Sequence, residues 1–243
     1  MSQQTYDAVI GYSALDNANR DKQKKTVQIV KTILDAYCVP SSKDMILIAG
    51  CGNGTEARLI KDVFNAKTIG VDISLDESKL VKEHDFELQK QELTALAFDS
   101  DTFSFIYSYH VLEHVPDHIK ALKELHRTLK DDGVLYIGFP NKNRLIGYIG
   151  SQNNLTFIDK LKFNLTDYKQ RIKGRFENRF GAHAGFTEKE FLAEAGEIFG
   201  KVIPIRNKYM LLKYKKYQGM VNLIIRLRLD ELLFPSNYYI CTK

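Results

Sequence analysis

The sequence predicts an α/β protein: a mainly parallel sheet with helices on both faces. Three observations carry this. An apolar run, Met45-Ile-Leu-Ile-Ala49, stops in three alternating glycines, Gly50, Gly52 and Gly54, before a helical pattern begins. A second short apolar run, 67–72, ends on a carboxylate, Asp72. Strand-like and helix-like stretches then keep alternating as far as residue 140, and strands joined through helices are parallel neighbours.

Residues 16–37 place Val27, Ile29, Val30, Ile33 and Leu34 at helical spacing, so a helix precedes the first strand and covers the sheet or the mouth of the site. The expected order is then strand 45–49, helix 55–65, strand 67–72, helix 76–84, strand 86–91, strand 103–108, helix 117–130 and strand 134–139. Thr187-Glu-Lys-Glu190 is a capping box that opens a helix through about residue 199. Strands 201–206 and 237–242 finish the sheet. Residues 141–186 fall outside this scaffold and carry Tyr148, Phe157, Phe163, Tyr168, Phe176 and Phe180 among many lysines and arginines. So long a connection is usually functional, often a lid, and its aromatics argue against disorder. Residues 209–235 read as one or two helices inserted before the last strand.

The glycines allow positive φ and close approach of a ligand to the backbone, while the helix starting near Thr55 offers N–H groups without intrahelical partners. Asp72, 18 residues beyond Gly54, lies beside that turn at the carboxyl edge of an open α/β sheet, where it can accept both hydroxyl protons of a ribose. A nucleoside is the expected guest. Further motifs follow in order: Glu92-Leu93, Leu96-Ala-Phe-Asp-Ser-Asp-Thr-Phe103, Ser108-Tyr-His-Val-Leu-Glu-His-Val115, Glu124-Leu-His-Arg-Thr-Leu-Lys130 and Gly133-Val-Leu-Tyr-Ile-Gly-Phe-Pro140.

With these motifs, residues 45–140 resemble the class I S-adenosylmethionine-dependent methyltransferases. The resemblance implies a seven-stranded, mostly parallel Rossmann-like sheet and S-adenosyl-L-methionine as cofactor. It implies one methyltransferase domain over 1–243, with 1–43 as a helical cap, 141–186 as an inserted substrate lid and 209–235 as a helical insertion. Carried over by motif, Gly50, Cys51, Gly52, Asn53, Gly54, Asp72, Ile73, Glu92, Leu93 and Tyr109 are the cofactor-binding candidates, with Glu92-Leu93 at the adenine. Ile48 stands two residues before the first glycine, where many relatives hold an acid, leaving loop carbonyls to meet the amino group. Tyr12 either closes over the methionine portion or packs.

Methyl transfer from a sulfonium is an in-line displacement, so alignment and exclusion of water come first. A hydroxyl acceptor also calls for a base, and histidine suits neutral pH. His110, directly after the fourth strand, is the leading candidate, with capping of the next helix as its structural alternative. His183, in a glycine-punctuated turn, either swings over the acceptor or bonds a loop carbonyl. Glu113 and His114 read as scaffold, and no metal site is expected. Cys38, Cys51 and Cys241 are scattered and read as reduced thiols.

The 243 residues carry a net charge of +5, divided as −5 over 1–140 and +10 over 141–243. An acidic half suits a sulfonium cofactor and a basic half an anionic acceptor or surface, unless both are merely solvated. The stretch 209–234, apolar with lysine and arginine edges, either lies on anionic membrane lipid or packs against the lid. No basic leader precedes an apolar core, and no apolar run approaches the roughly 20 residues of a membrane span, so a cytoplasmic location is expected. The expected function is methylation of a small molecule, at oxygen of an anionic metabolite or glycan precursor. RNA methylation is an alternative, although the sequence shows no appended RNA-binding module and nucleic acid is not the expected partner. A non-catalytic binding module is the third reading.

Overall fold

The computed structural model describes residues 17–37, 40–76, 80–148 and 156–243; Tyr12 and Cys38 lie outside them. The first helix is α1 (Asn17–Leu34). Then follow β1 (Met45–Ala49), α2 (Thr55–Phe64), β2 (Lys67–Asp72), β3 (Val81–Lys82), β4 (Phe86–Lys90), β5 (Phe103–Tyr109), α3 (His118–Thr128) and β6 (Leu129–Pro140). The second half holds α4 (Phe157–Ile172), α5 (Glu188–Gly196), β7 (Lys201–Pro204), α6 (Arg206–Lys213), α7 (Gln218–Arg226), α8 (Asp230–Leu233) and β8 (Ser236–Thr242).

The sheet runs β3-β4-β2-β1-β5-β6-β8-β7. The pairs β4–β2, β2–β1, β1–β5 and β5–β6 are parallel, while β8 lies antiparallel between β6 and β7. The seven expected strands are thus present, in a mostly parallel sheet whose order reverses at β1. In open α/β sheets that reversal opens a crevice at the carboxyl ends of the strands. Apolar side chains fill both faces. Ile46, Ile48, Phe105 and Tyr107 join one cluster with Val27 and Val30 of α1 and Ile60 of α2; Leu47, Ala49 and Ile106 join the other with Leu122 of α3 and Phe191 of α5. Residues at odd and even positions of β1 therefore face opposite layers, the period-2 rule of a strand buried on both sides.

Three expectations need correction. The helix expected over 76–84 is replaced, in its described part, by β3, which pairs antiparallel with β4 through Val81↔Leu88 and Lys82↔Glu87. Two residues are too few for any periodicity, so the edge strand left no pattern to read. β6 starts at Leu129 rather than 134, with a register irregularity against β5 between Phe103 and Phe105. The helical stretch before the last strand begins at Arg206 and breaks into three short helices.

Arg144, 4% exposed, holds the 141–186 segment together. Its Nη1 donates to Asn141 O (3.0 Å) and Ala184 O (3.1 Å), and its Nη2 to Asp167 Oδ2 (3.0 Å) and His183 O (2.8 Å). One planar fork thus joins the end of β6, helix α4 and the turn bearing His183. Gly185 closes that turn at φ 72°, and a Cβ there would stand 1.7 Å from Pro140 O. Gly185→Ala should cost about 3 kcal/mol, combining left-handed strain and overpacking; urea unfolding checks this, with a loss under about 1 kcal/mol as the contrary result.

Candidate functional site

At the end of β1 the chain turns through Gly50, Gly52 and Gly54 at φ 80°, 53° and 79°. Gly50 and Cys51 donate backbone N–H to Val71 O at 2.8 and 3.0 Å, which locks the turn to β2. A Cβ at Gly50 would lie 2.1 Å from Val111 and one at Gly54 2.5 Å from Leu88, so these two glycines also admit protein side chains. Asn53 Oδ1 accepts from Thr55 N at 3.1 Å and starts α2. Cys51 is buried, and burial raises its thiol to about 12, so it is a neutral space-filler. Cys241 is likewise buried and free.

Asp72 reaches across from β2. Its Oδ2 accepts from Gly52 N at 2.8 Å, and its Oδ1 accepts from Ser74 N (2.8 Å) and Ser74 Oγ (2.6 Å). A carboxylate has about four acceptor sites, so one remains beyond these three bonds. Ile73, next in the chain, is 64% exposed, an apolar side chain turned to the crevice edge or solvent. Glu92 Oε1 accepts from Thr94 Oγ1 at 2.7 Å, and Leu93 beside it is buried.

The sequence reading missed Glu56. From the first turn of α2, its partly buried carboxyl accepts from Tyr107 Oη at 3.0 Å. Burial raises its pKa, opposed by the Tyr107 hydrogen bond and the charge of nearby His110. Tyr107 is the register partner of Ile48. A carboxyl therefore does stand beside β1, delivered by the helix instead of the strand. The pairing spans 51 residues, so no local pattern signals it.

β5 ends at Tyr109 and His110. Tyr109 stacks on Tyr238 (6.1 Å between centroids) and meets His110 edge-on (4.2 Å). Tyr107 stacks on Tyr136, and Tyr238 on Tyr209, within the same aromatic layer. His110 is held at φ 55°, with its N–H donating to Gly138 O at 2.8 Å. Such left-handed backbone in a residue other than glycine concentrates at functional sites. Its Nδ1 lies 3.2 Å from Glu113 Oε1, so Glu113, read from sequence as scaffold, is the partner of the leading base candidate. The signal was the i, i+3 spacing across the tight helical turn Leu112–His114.

The Glu113 side chain is 1% exposed, and its Oε2 has no hydrogen-bond partner among the described residues. Burial works against its charge, but the hydrogen bond and charge of His110, with the charge of His114, hold its pKa below the ordinary value. His183 packs edge-on against His114 at 4.6 Å. Burial, reinforced by the charge of His114, lowers the His183 pKa to about 4. Glu113, His114 and His183 each place a ligand atom within 4.8 Å of the others, a grouping the sequence reading did not anticipate.

Residues 47–137 match the model of the family described as a methyltransferase domain. Over that stretch the chain is similar to S-adenosylmethionine-dependent methyltransferase domains. It is 41% identical over 106 residues to an uncharacterised protein of Methanocaldococcus jannaschii, covering 42% of this chain and 43% of that one. It is 26% identical over 162 residues to a ubiquinone biosynthesis O-methyltransferase of Thiobacillus denitrificans, covering 62% and 68%. The chain thus spans less than half of the archaeal relative's length. An S-adenosylmethionine-dependent methyltransferase structure from Mesorhizobium loti superposes with a TM-score of 0.53 at 14% identity, over 87% of this chain and 96% of that one, a likeness of fold.

The neutral His183 sets a pH dependence. Its folded pKa, about 4, lies below its ordinary value near 6.5, so between these pH values the unfolded chain binds more protons. Stability from this residue is complete above about pH 6.5 and lost as pH falls toward 4. His183→Gln should reduce the slope of unfolding free energy against pH by up to about one proton in that window. Urea titrations at several pH values measure it, and an unchanged slope contradicts the assignment.

Proposed function

We propose that this protein transfers a methyl group from S-adenosylmethionine to a hydroxyl of a small acceptor, and the His110–Glu113 pair at the carboxyl end of β5 carries the reading. In the bound state the cofactor supplies an electrophilic sulfonium methyl; the protein's residues hold and orient. The remaining acceptor site of Asp72 suits a ribose hydroxyl, the exposed Ile73 side chain suits a purine face, and Glu92–Leu93 borders the adenine edge. Gly50, Cys51, Gly52, Asn53 and Gly54 form the backbone cradle, with Tyr109 at its β5 side. Glu56 takes the place of the acid missing at Ile48: a partly buried carboxyl is stabilised by a cation, and the methionine α-ammonium is one.

An alcohol is a weak nucleophile until its proton leaves. Glu113 fixes the His110 ring through Nδ1, leaving Nε2 as the atom to receive that proton, and the buried carboxylate stabilises the resulting imidazolium. His183, with its pKa near 4, accepts protons poorly at neutral pH and serves as a neutral hydrogen-bonding wall of the acceptor side. The 141–186 segment, pinned by Arg144, forms the lid. The O-methyltransferase relative agrees with oxygen as the acceptor atom, and the positive charge of residues 141–243 favours an anionic acceptor.

Calorimetry with S-adenosylhomocysteine tests the cofactor half. Asp72→Ala should weaken binding about tenfold or more, the worth of a hydrogen bond to a charged group. Glu56→Gln should weaken S-adenosylhomocysteine but leave 5′-methylthioadenosine, which lacks the amino-acid end, unaffected. Equal loss of both ligands would make Glu56 a fold residue. With an acceptor found by a labelled-methyl screen, His110→Ala and Glu113→Gln should each lower kcat about 10²-fold or more with S-adenosylhomocysteine affinity unchanged. Retained kcat in His110→Ala would remove the base.

A further inference from the structure

Among the described residues, helix α4 is held to the body along one side. Asn164 exchanges hydrogen bonds with Gly147, Asp167 receives Arg144, and Arg171 donates to Lys142 O and Arg144 O. The adjoining side presents Phe157, Ile158, Leu161, Leu165, Tyr168 and Ile172, all exposed, from 40% at Tyr168 to 87% at Ile172. At 3.6 residues per turn these six fall within an arc of about 100°, and Lys162, Lys169 and Lys173 line its edge. Thr156 and Asp159 form a full capping box at the helix start, so the stripe sits on an ordered helix.

The stripe continues onto the second insertion. Tyr168 Oη donates to Leu145 O (2.6 Å), and Leu145 N donates to Leu232 O (2.8 Å). Leu145, Ile146, Leu232 and Leu233 are exposed at this junction, as are Tyr217, Met220, Leu223 and Leu227 on and beside α7. Lys215, Lys216, Arg226 and Arg228 stand among them. Scattered exposed apolar residues are ordinary, but a connected set of this extent marks a contact surface.

We propose that this face docks on an anionic lipid bilayer, with the apolar side chains in the headgroup–acyl boundary and the lysines and arginines on lipid phosphates. Charge chooses the occupant: residues 141–243 carry +10, so a second copy joined through the same face would bring cation against cation, whereas anionic lipid is complementary. The sequence left 209–234 either on anionic lipid or packed against the lid; α4 carries the longer stripe and joins it. No described helix is long and apolar enough to cross a membrane, so the contact is peripheral. Docking does not depend on the methyl-transfer reading. If that reading also holds, the lipid-facing helix leads on to the turn bearing His183 on the acceptor side, and an amphiphilic acceptor suits both.

The chain contains no tryptophan, so Leu165→Trp installs a single fluorophore in the stripe. On vesicles of phosphatidylcholine with roughly 30% phosphatidylglycerol its emission should shift to the blue and be quenched by brominated acyl chains; pure phosphatidylcholine should do neither. Raising the salt should weaken the effect. Leu161→Glu combined with Leu165→Glu should reduce co-sedimentation with the anionic vesicles about tenfold or more while S-adenosylhomocysteine affinity stays at the wild-type value. Three outcomes overturn the proposal: no shift on anionic vesicles, co-sedimentation indifferent to the double variant, or a blue shift without lipid that grows with protein concentration, which assigns the face to self-association. Wild-type calorimetry with S-adenosylhomocysteine separates this from failure of the cofactor site.

Discussion

The Asp72 carboxylate joins two strand ends that the sheet alone brings only near each other. Gly52 N–H meets one oxygen and Ser74 the other, so the turn after β1 and the turn after β2 form one unit. Hydrogen bonds to a charged acceptor contribute about 1.5–3 kcal/mol each, enough to set the shape of a five-residue turn. The remaining site geometry depends on that shape. Gly54, in left-handed geometry, starts α2 and so aims Glu56 at Tyr107, and Gly50 leaves the volume that Val111 occupies on the way to Glu113.

Much of this was legible because it is local. The glycine alternation, the interval to Asp72 and the Thr187-to-Glu190 capping box are patterns within twenty residues, and each stands where it was expected. The unread parts are long-range or too short to have a period. Glu56 meets Tyr107 across 51 residues, and Arg144 reaches Asp167, His183 and Ala184 from a loop whose sequence says only that it is basic. Val81–Lys82 became a strand because β4 offered an open edge, a tertiary opportunity that outweighed the helix expected there. Glu113 was set aside as scaffold because its motif recurs among relatives with different substrates; the motif does shape the chain, and in doing so it delivers a carboxylate to His110.

Electrostatics differ at the two ends of the crevice. Beside β1, Glu56 is a carboxyl raised by burial, suited to a cationic visitor. Beside β5, Glu113 is kept ionised by His110 and His114 in spite of its burial, suited to polarising an imidazole. Between them the aromatic layer of Tyr107, Tyr109, Tyr136, Tyr209 and Tyr238 supplies rigid low-dielectric walls, and burial raises the hydroxyl pKa of each. Neutral phenols hold geometry without adding charge, so Glu56 and Glu113 remain the acidic groups on either side of this layer.

The central claim is that the glycine turn and Asp72 together grip the nucleoside of a methyl donor. A crystal structure of the protein with S-adenosylhomocysteine tests it most directly. The account predicts a ribose hydroxyl on the remaining acceptor site of the Asp72 carboxylate, the adenine between Ile73 and Leu93, and the amino-acid end beside Glu56. A nucleoside bound elsewhere, with Asp72 bonded only to Gly52 and Ser74, would contradict it.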